Sequence, residues 1–170
     1  MRILALTGAI LLLLAGCGYK PVAQYAKEVL GERIYVDIAI NLRDPENSVL
    51  IKDALSQAIM TRLHGKLASK ESADSTLRVT LNSANFTSLA DNKEGFTTFY
   101  RAQVSLGFAY EDKEGKARRF NSIGRYDFSI DDSSILSDSK RFEAIKSASI
   151  QAIDHFISHI AMQGAKGVQP

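Results

Sequence analysis

Cysteine is almost missing from this chain: 170 residues contain one, Cys17. A lone thiol closes no internal disulfide, so the fold must stand on its core. An excess of charge is missing too. Lys and Arg number 21 against 19 Asp and Glu, with no long run of either sign, which argues against a dedicated nucleic-acid binder. No apolar stretch reaches the ~20 residues that cross a hydrocarbon core. Internal repeats and low-complexity tracts are absent as well.

Catalytic patterns are equally scarce. No serine sits in a GxSxG elbow and no phosphate-cradling glycine loop follows a strand. His155 and His159 have the i, i+4 spacing of a zinc pair, but the stretch reads "HFISH". It lacks the glutamate of HExxH and shows no third ligand. Asp131 and Asp132 could form a paired-carboxylate acid–base site. They fall in "IDDSS", between a strand and a helix, where turn and capping roles are commoner. We therefore expect no catalytic residue, no metal and no cofactor.

The N-terminus is where the sequence is explicit. Arg2 precedes an uncharged run over residues 3–16, rich in Leu, Ile and Ala, the mark of a secretory signal. Leu14-Ala15-Gly16-Cys17 fits the bacterial lipobox, in which the cysteine receives a diacylglyceryl group and becomes the first mature residue. At ~0.8 kcal/mol per buried methylene, two or more acyl chains anchor stably where one does not. Gly18, rather than Asp, follows the cysteine, which in the common sorting scheme permits export to the outer membrane. The expected organisation is a signal peptide over 1–16, a lipidated N-terminus and linker over 17–31, one domain over 32–164 and a tail over 165–170. The linker, with at most a helical turn in "AQYAKEVLG", would reach no more than ~50 Å from Cys17 to the first strand.

A chain of this size can bury ~70% of its unfolded surface without disulfides. "RIYVDIAINL" alternates Ile34, Val36, Ile38, Ile40 and Leu42 on one face, a half-buried strand. Asp44 and Pro45 then open a helix predicted over 45–64, with Gly65 as its stop. "STLRVTL", "YRAQVSLGFAY" and "RFNSIGRYDFSI" are three more alternating strands, separated by "DNKEG" and "EDKEGK" turns. Phe142, Ile145, Ile153, Phe156 and Ile160 stripe a second helix predicted over 138–163, running into Gly164. The economical fold is α+β: a two-layer sandwich of a four-stranded sheet with two helices on one face, in the order β-α-β-β-β-α. The other sheet face would show Arg78, Thr80, Asn82, Arg101, Gln103, Ser105, Asn121 and Arg125. Plain solvation accounts for such a face, and so would enclosure in something polar.

The lipobox with "CGYKP", then strand, DP-capped helix, three-strand meander and long C-terminal helix, resembles the LPS-assembly lipoprotein LptE family over essentially the whole chain. The resemblance implies a non-catalytic lipoprotein on the periplasmic side of the outer membrane. It would plug an LptD-like β-barrel and assist assembly of lipopolysaccharide in the outer leaflet. It further implies a basic hairpin-tip residue that meets lipopolysaccharide phosphates. Lys93, in "NKEGFTTFYR", matches that basic-x-Gly pattern. A second basic position on the next strand has Arg125 as its nearest counterpart, without a close match. The rival reading is a lipoprotein that binds and activates a periplasmic cell-wall synthase. Such regulators carry longer Pro- or Gln-rich linkers than this chain has.

Overall fold

The computed structural model describes residues 21–39, 45–131 and 135–167. In chain order these form α1 (Val22–Leu30), β1 (Arg33–Ala39), α2 (Pro45–Arg62), β2 (Lys66–Leu67), β3 (Ser75–Asp91), β4 (Thr97–Glu111), β5 (Ala117–Ser129) and α3 (Asp138–Gly167). The sheet has five strands in the order β2-β1-β3-β4-β5. β3, β4 and β5 form the expected antiparallel meander. β1 lies parallel to β3, reached through α2, because parallel neighbours require a crossover.

Burial follows the alternation read from the sequence. Ile34, Leu77, Val79, Leu81, Ala102, Val104, Leu106, Phe108 and Tyr110 are buried on one sheet face. They meet α3 through Ala144, Ala148, Ala152, Ile153, Phe156 and Ile160. Phe156 stacks on Phe108 with ring centroids 4.2 Å apart and meets Tyr110 edge-on, which makes it the centre of the core. Ile40, Leu42 and Asp44 lie outside the described residues.

Two glycines let backbones touch. A Cβ at Gly124 of β5 would overlap the Ala148 carbonyl oxygen of α3. Hydrogen in place of a side chain lets the helix lie directly on the strand. Gly164 was expected to stop α3, yet the helix runs through it to Gly167. A Cβ there would overlap the Tyr25 carbonyl oxygen of α1, so this glycine serves packing rather than termination.

The architecture differs from expectation in two details. The sheet gains β2, two residues paired parallel with Arg33 and Ile34, too short to carry an alternation signal. The stretch expected to be linker contains a third helix, α1. It buries Ala23, Ala26 and Leu30 and packs against α3. Lys113 of the β4–β5 turn donates its backbone N–H to the Val29 carbonyl, while its ammonium bonds Glu28.

Candidate functional site

β3 and β4 outrun β1, while β5 stays with β4 as far as Ser129 opposite Phe99. β1 pairs with β3 only as far as Ala39 opposite Thr80, while β3 and β4 stay paired to Asp91 opposite Thr97. At about 3.4 Å per residue, the 15 residues of β4 span ~50 Å. Bulges between Leu81 and Ser83 and between Ser88 and Ala90 twist this arm.

The tip is held by its own turn chemistry. Asn92 Oδ1 accepts from the backbone N–H groups of Glu94 (3.1 Å) and Phe96 (2.9 Å), an Asx-type closure. Asp91 Oδ1 accepts from Thr97 Oγ1 at 2.7 Å and Ser88 Oγ at 3.1 Å. Gly95 takes φ of 84°, a value that favours glycine. The sequence-predicted Lys93 stands on this tip, exposed, with no ion pair among the described residues. Glu94 is beside it. Around them Phe96 is 63% exposed, Leu89 40% and Phe99 38%. The sequence pattern alone did not single out this apolar trio; the signal was that Phe96 falls in a turn, off any buried stripe.

Arg125 lies elsewhere. On β5 it faces Gln103 across the ladder and donates from Nε to Gln103 Oε1 at 3.0 Å. Its backbone N–H bonds Gln151 Oε1 of α3. The Gln103 row is six residues from Thr97 along β4, so Arg125 and the tip are at least ~20 Å apart along the strand. The structure therefore does not bring Lys93 and Arg125 together.

The polar sheet face is internally paired. Arg101 grips Asp127 with two bonds of 2.7 Å, a fork geometry that is strong for an exposed pair. That guanidinium holds the Asp127 carboxyl below its ordinary range, and the Asp127 hydrogen bond in turn raises Arg101. Asp37 accepts from Arg78 Nε at 2.6 Å on the neighbouring strand pair. The sequence hinted at the arginines and glutamine, but their acidic partners appear only once the register is known.

The other candidates have structural jobs. His155 Nδ1 sits 3.2 Å from the Ile123 carbonyl oxygen at the β5 edge. His159 stacks on Phe120 at 4.1 Å, with Nε2 2.9 Å from Gln163. Burial, then the charges of Lys166 and Arg118, holds its imidazole below the usual range. Among the described residues no cluster of three His, Cys, Asp or Glu could hold a metal. Asp131 is exposed beyond the end of β5. Asp132 and Cys17 lie outside the described residues. No helix among those described is long and apolar enough to cross a membrane.

With this geometry in place, comparison with known families is decisive. The family model described as "LptE: Lipopolysaccharide-assembly" matches residues 32–160, from just before β1 into the last turns of α3. The chain belongs to the LptE family. It is thus a member of a non-catalytic lipopolysaccharide-assembly lipoprotein family. Solved structures agree on the fold. The rare lipoprotein B from Shewanella oneidensis is 19% identical with a TM-score of 0.54, over 81% of this chain and 99% of that one. A lipoprotein from Caulobacter crescentus CB15 is 14% identical with a TM-score of 0.56, over 88% and 98%. Lipoprotein B from Nitrosomonas europaea is 15% identical with a TM-score of 0.50, over 81% and 86%. No curated protein matches the chain in sequence.

Proposed function

We propose that this LptE-family chain is anchored through an acylated Cys17 to the periplasmic side of the outer membrane. There it plugs an LptD-like β-barrel that assembles lipopolysaccharide in the outer leaflet. The family match carries the reading, and the surface supports it. Barrel interiors are polar, so a plug must offer hydrophilic groups that need no rescue from outside. The rows Asp37–Arg78, Gln103–Arg125 and Arg101–Asp127 form such a surface, each already satisfied within the sheet.

Direct lipid contact belongs to the projecting arm in this account. Lys93 offers a phosphate an ammonium free of any ion pair among the described residues, as a point charge without the directionality of Arg. Phe96 beside it offers an apolar side chain. Arg125 would be a separate, second contact on the sheet face.

The test is depletion of the protein in cells, with surface lipopolysaccharide read by its accessibility to an externally added modifying enzyme. Newly made lipopolysaccharide should fail to reach the surface while cell-wall synthesis continues at first. An early fall in peptidoglycan incorporation with normal lipopolysaccharide delivery would overturn the reading in favour of a cell-wall synthase regulator.

A further inference from the structure

We infer that the outer edge of β3 along the hairpin arm, over Ser83–Ser88, is a docking edge for an extended polypeptide segment, which joins the sheet as a further strand. The inference deepens the barrel-partner reading and rests on it for the partner: the segment belongs to the barrel protein.

The sheet treats its open edges differently. β2, at one end of the strand order, is two residues long, too short to template another strand. β5, at the other end, is guarded by α3. His155 Nδ1 sits 3.2 Å from the Ile123 carbonyl oxygen, and Gln151 Oε1 accepts from the Arg125 backbone N–H. Arg118, Arg119 and Arg125 add charged side chains, which discourage edge-to-edge pairing.

The outer half of β3 has none of this. Its pairing with β1 ends at Thr80. Beyond Asn82 its outward backbone groups have no hydrogen-bond partner among the described residues. From Thr80 to Ala90 the chain carries no charge and no proline, so the usual deterrents are missing where the edge is open. The bulges fall at the ends of this stretch. Between them the ladder is regular, from Ser83 opposite Ser105 to Ser88 opposite Tyr100. That run is ~20 Å long, the usual length of a strand.

A cavity of about 400 Å³ lies between this part of β3 and the first turns of α2 and α3. Ala84, Phe86 and Phe142 give it an apolar wall. Its charged groups are Glu46, Asp138 and Arg141. The two acids belong to the first turns of their helices, where they offset the positive N-terminal ends, so the lining favours uncharged side chains. Ala84 and Phe86 share the helix-facing side of β3, two residues apart. A strand added beside them sets every second side chain over the cavity. Main-chain bonds then give affinity and the cavity gives specificity. The occupant is an extended segment with apolar side chains at alternate positions.

A second copy of β3 fits poorly. Phe86, the large apolar side chain of the run, is held edge-on against Phe128 at 6.3 Å and lies under Arg141 at 5.2 Å. It is not free to enter a neighbour's cavity. A closed barrel has no strand edge of its own to offer, so the segment is a loop or terminal stretch of the barrel protein folded into the lumen.

Residue-resolved hydrogen exchange tests this on the full lipidated chain in detergent, free and in the complex purified with the barrel protein. In the free chain, amides over 83–88 that bond β4 should exchange slowly and the alternate, outward ones fast. In the complex the outward amides should slow by about tenfold or more. Outward amides that stay fast in the complex overturn the inference and leave the barrel reading intact. Proline at whichever of Ala84 and Asn85 has the fast amide removes one outward donor and spares the β4 ladder. It should weaken retention of the barrel protein by about tenfold, with thermal unfolding confirming the fold; unchanged retention overturns the inference. Slow outward amides in the free chain overturn it too. They assign the edge to a second copy where protection rises with protein concentration, and to the chain's own residues where it does not. If no barrel protein co-purifies, the barrel reading falls and this inference falls with it.

Discussion

The two ends of this molecule are built by opposite means. At the α1 end three separate parts of the chain converge: α1 on the glycine of α3, the β4–β5 turn on α1, and Asp74 on the backbone that follows α1. At the hairpin end β5 follows β4 only as far as Ser129 opposite Phe99, and the tip beyond is shaped by its own Asn92, Asp91 and Gly95. Long-range packing makes the first end rigid at the cost of surface. Local turn chemistry makes the second end firm while leaving Leu89, Phe96 and Lys93 exposed. Stability and presentation are thereby separated, and a substitution should disturb one or the other.

The largest effect is expected where the core is densest. Phe156→Ala removes a fully buried ring stacked on Phe108 and should cost ~3–5 kcal/mol in chemical denaturation, from lost burial and the cavity left behind. A loss below about 1 kcal/mol would mean that the core does not centre on this ring. Next is Gly164→Val, which should cost ~1–3 kcal/mol by overpacking and open residues 21–31 to limited proteolysis. If that segment stays protected, the α1 end is held by something other than the seam with α3.

Acid should find the same end. Asp74 is pulled down to about 2, chiefly by its hydrogen bonds to the Arg33 side chain and backbone. A depressed carboxylate stabilises the fold fully above its ordinary range near 4, and that contribution is lost as pH falls toward about 2. Asp74→Asn should therefore lower Tm at neutral pH and flatten the dependence of Tm on pH below about 5. A wild-type slope retained in the variant would place the acid sensitivity elsewhere.

The smallest effect on stability, and the clearest effect on binding, belongs to the tip. Lys93→Glu should change unfolding by no more than ~0.5 kcal/mol and weaken lipopolysaccharide binding by the purified domain, the more so at low salt. Unchanged binding at both low and moderate salt, with the fold intact, would remove Lys93 from the contact.

The same contrast explains what could be read from the sequence. Strand alternation such as Leu77-Val79-Leu81 and the α3 stripe through Phe156 were legible because each buries one face and exposes the other. α1 was not legible as a docked helix, since two of its three buried residues are alanines, whose apolar signal is faint. β2 is two residues long and has no period at all. At the site, the exposure of Lys93 followed from the turn residues around it. The engagement of Arg125 with Gln103 and Gln151 depends on strand register and on where α3 crosses β5, which local pattern does not encode. The roles of Gly124 and Gly164 are likewise properties of what lies opposite them.

The central claim is partnership with a lipopolysaccharide-exporting barrel, and its most direct test is purification of the tagged, lipidated chain from envelopes in mild detergent. The account predicts a stoichiometric LptD-like β-barrel in the eluate, identified by mass spectrometry and retained through size exclusion. A cell-wall synthase in its place, or elution of the lipoprotein alone at every detergent strength, would contradict it.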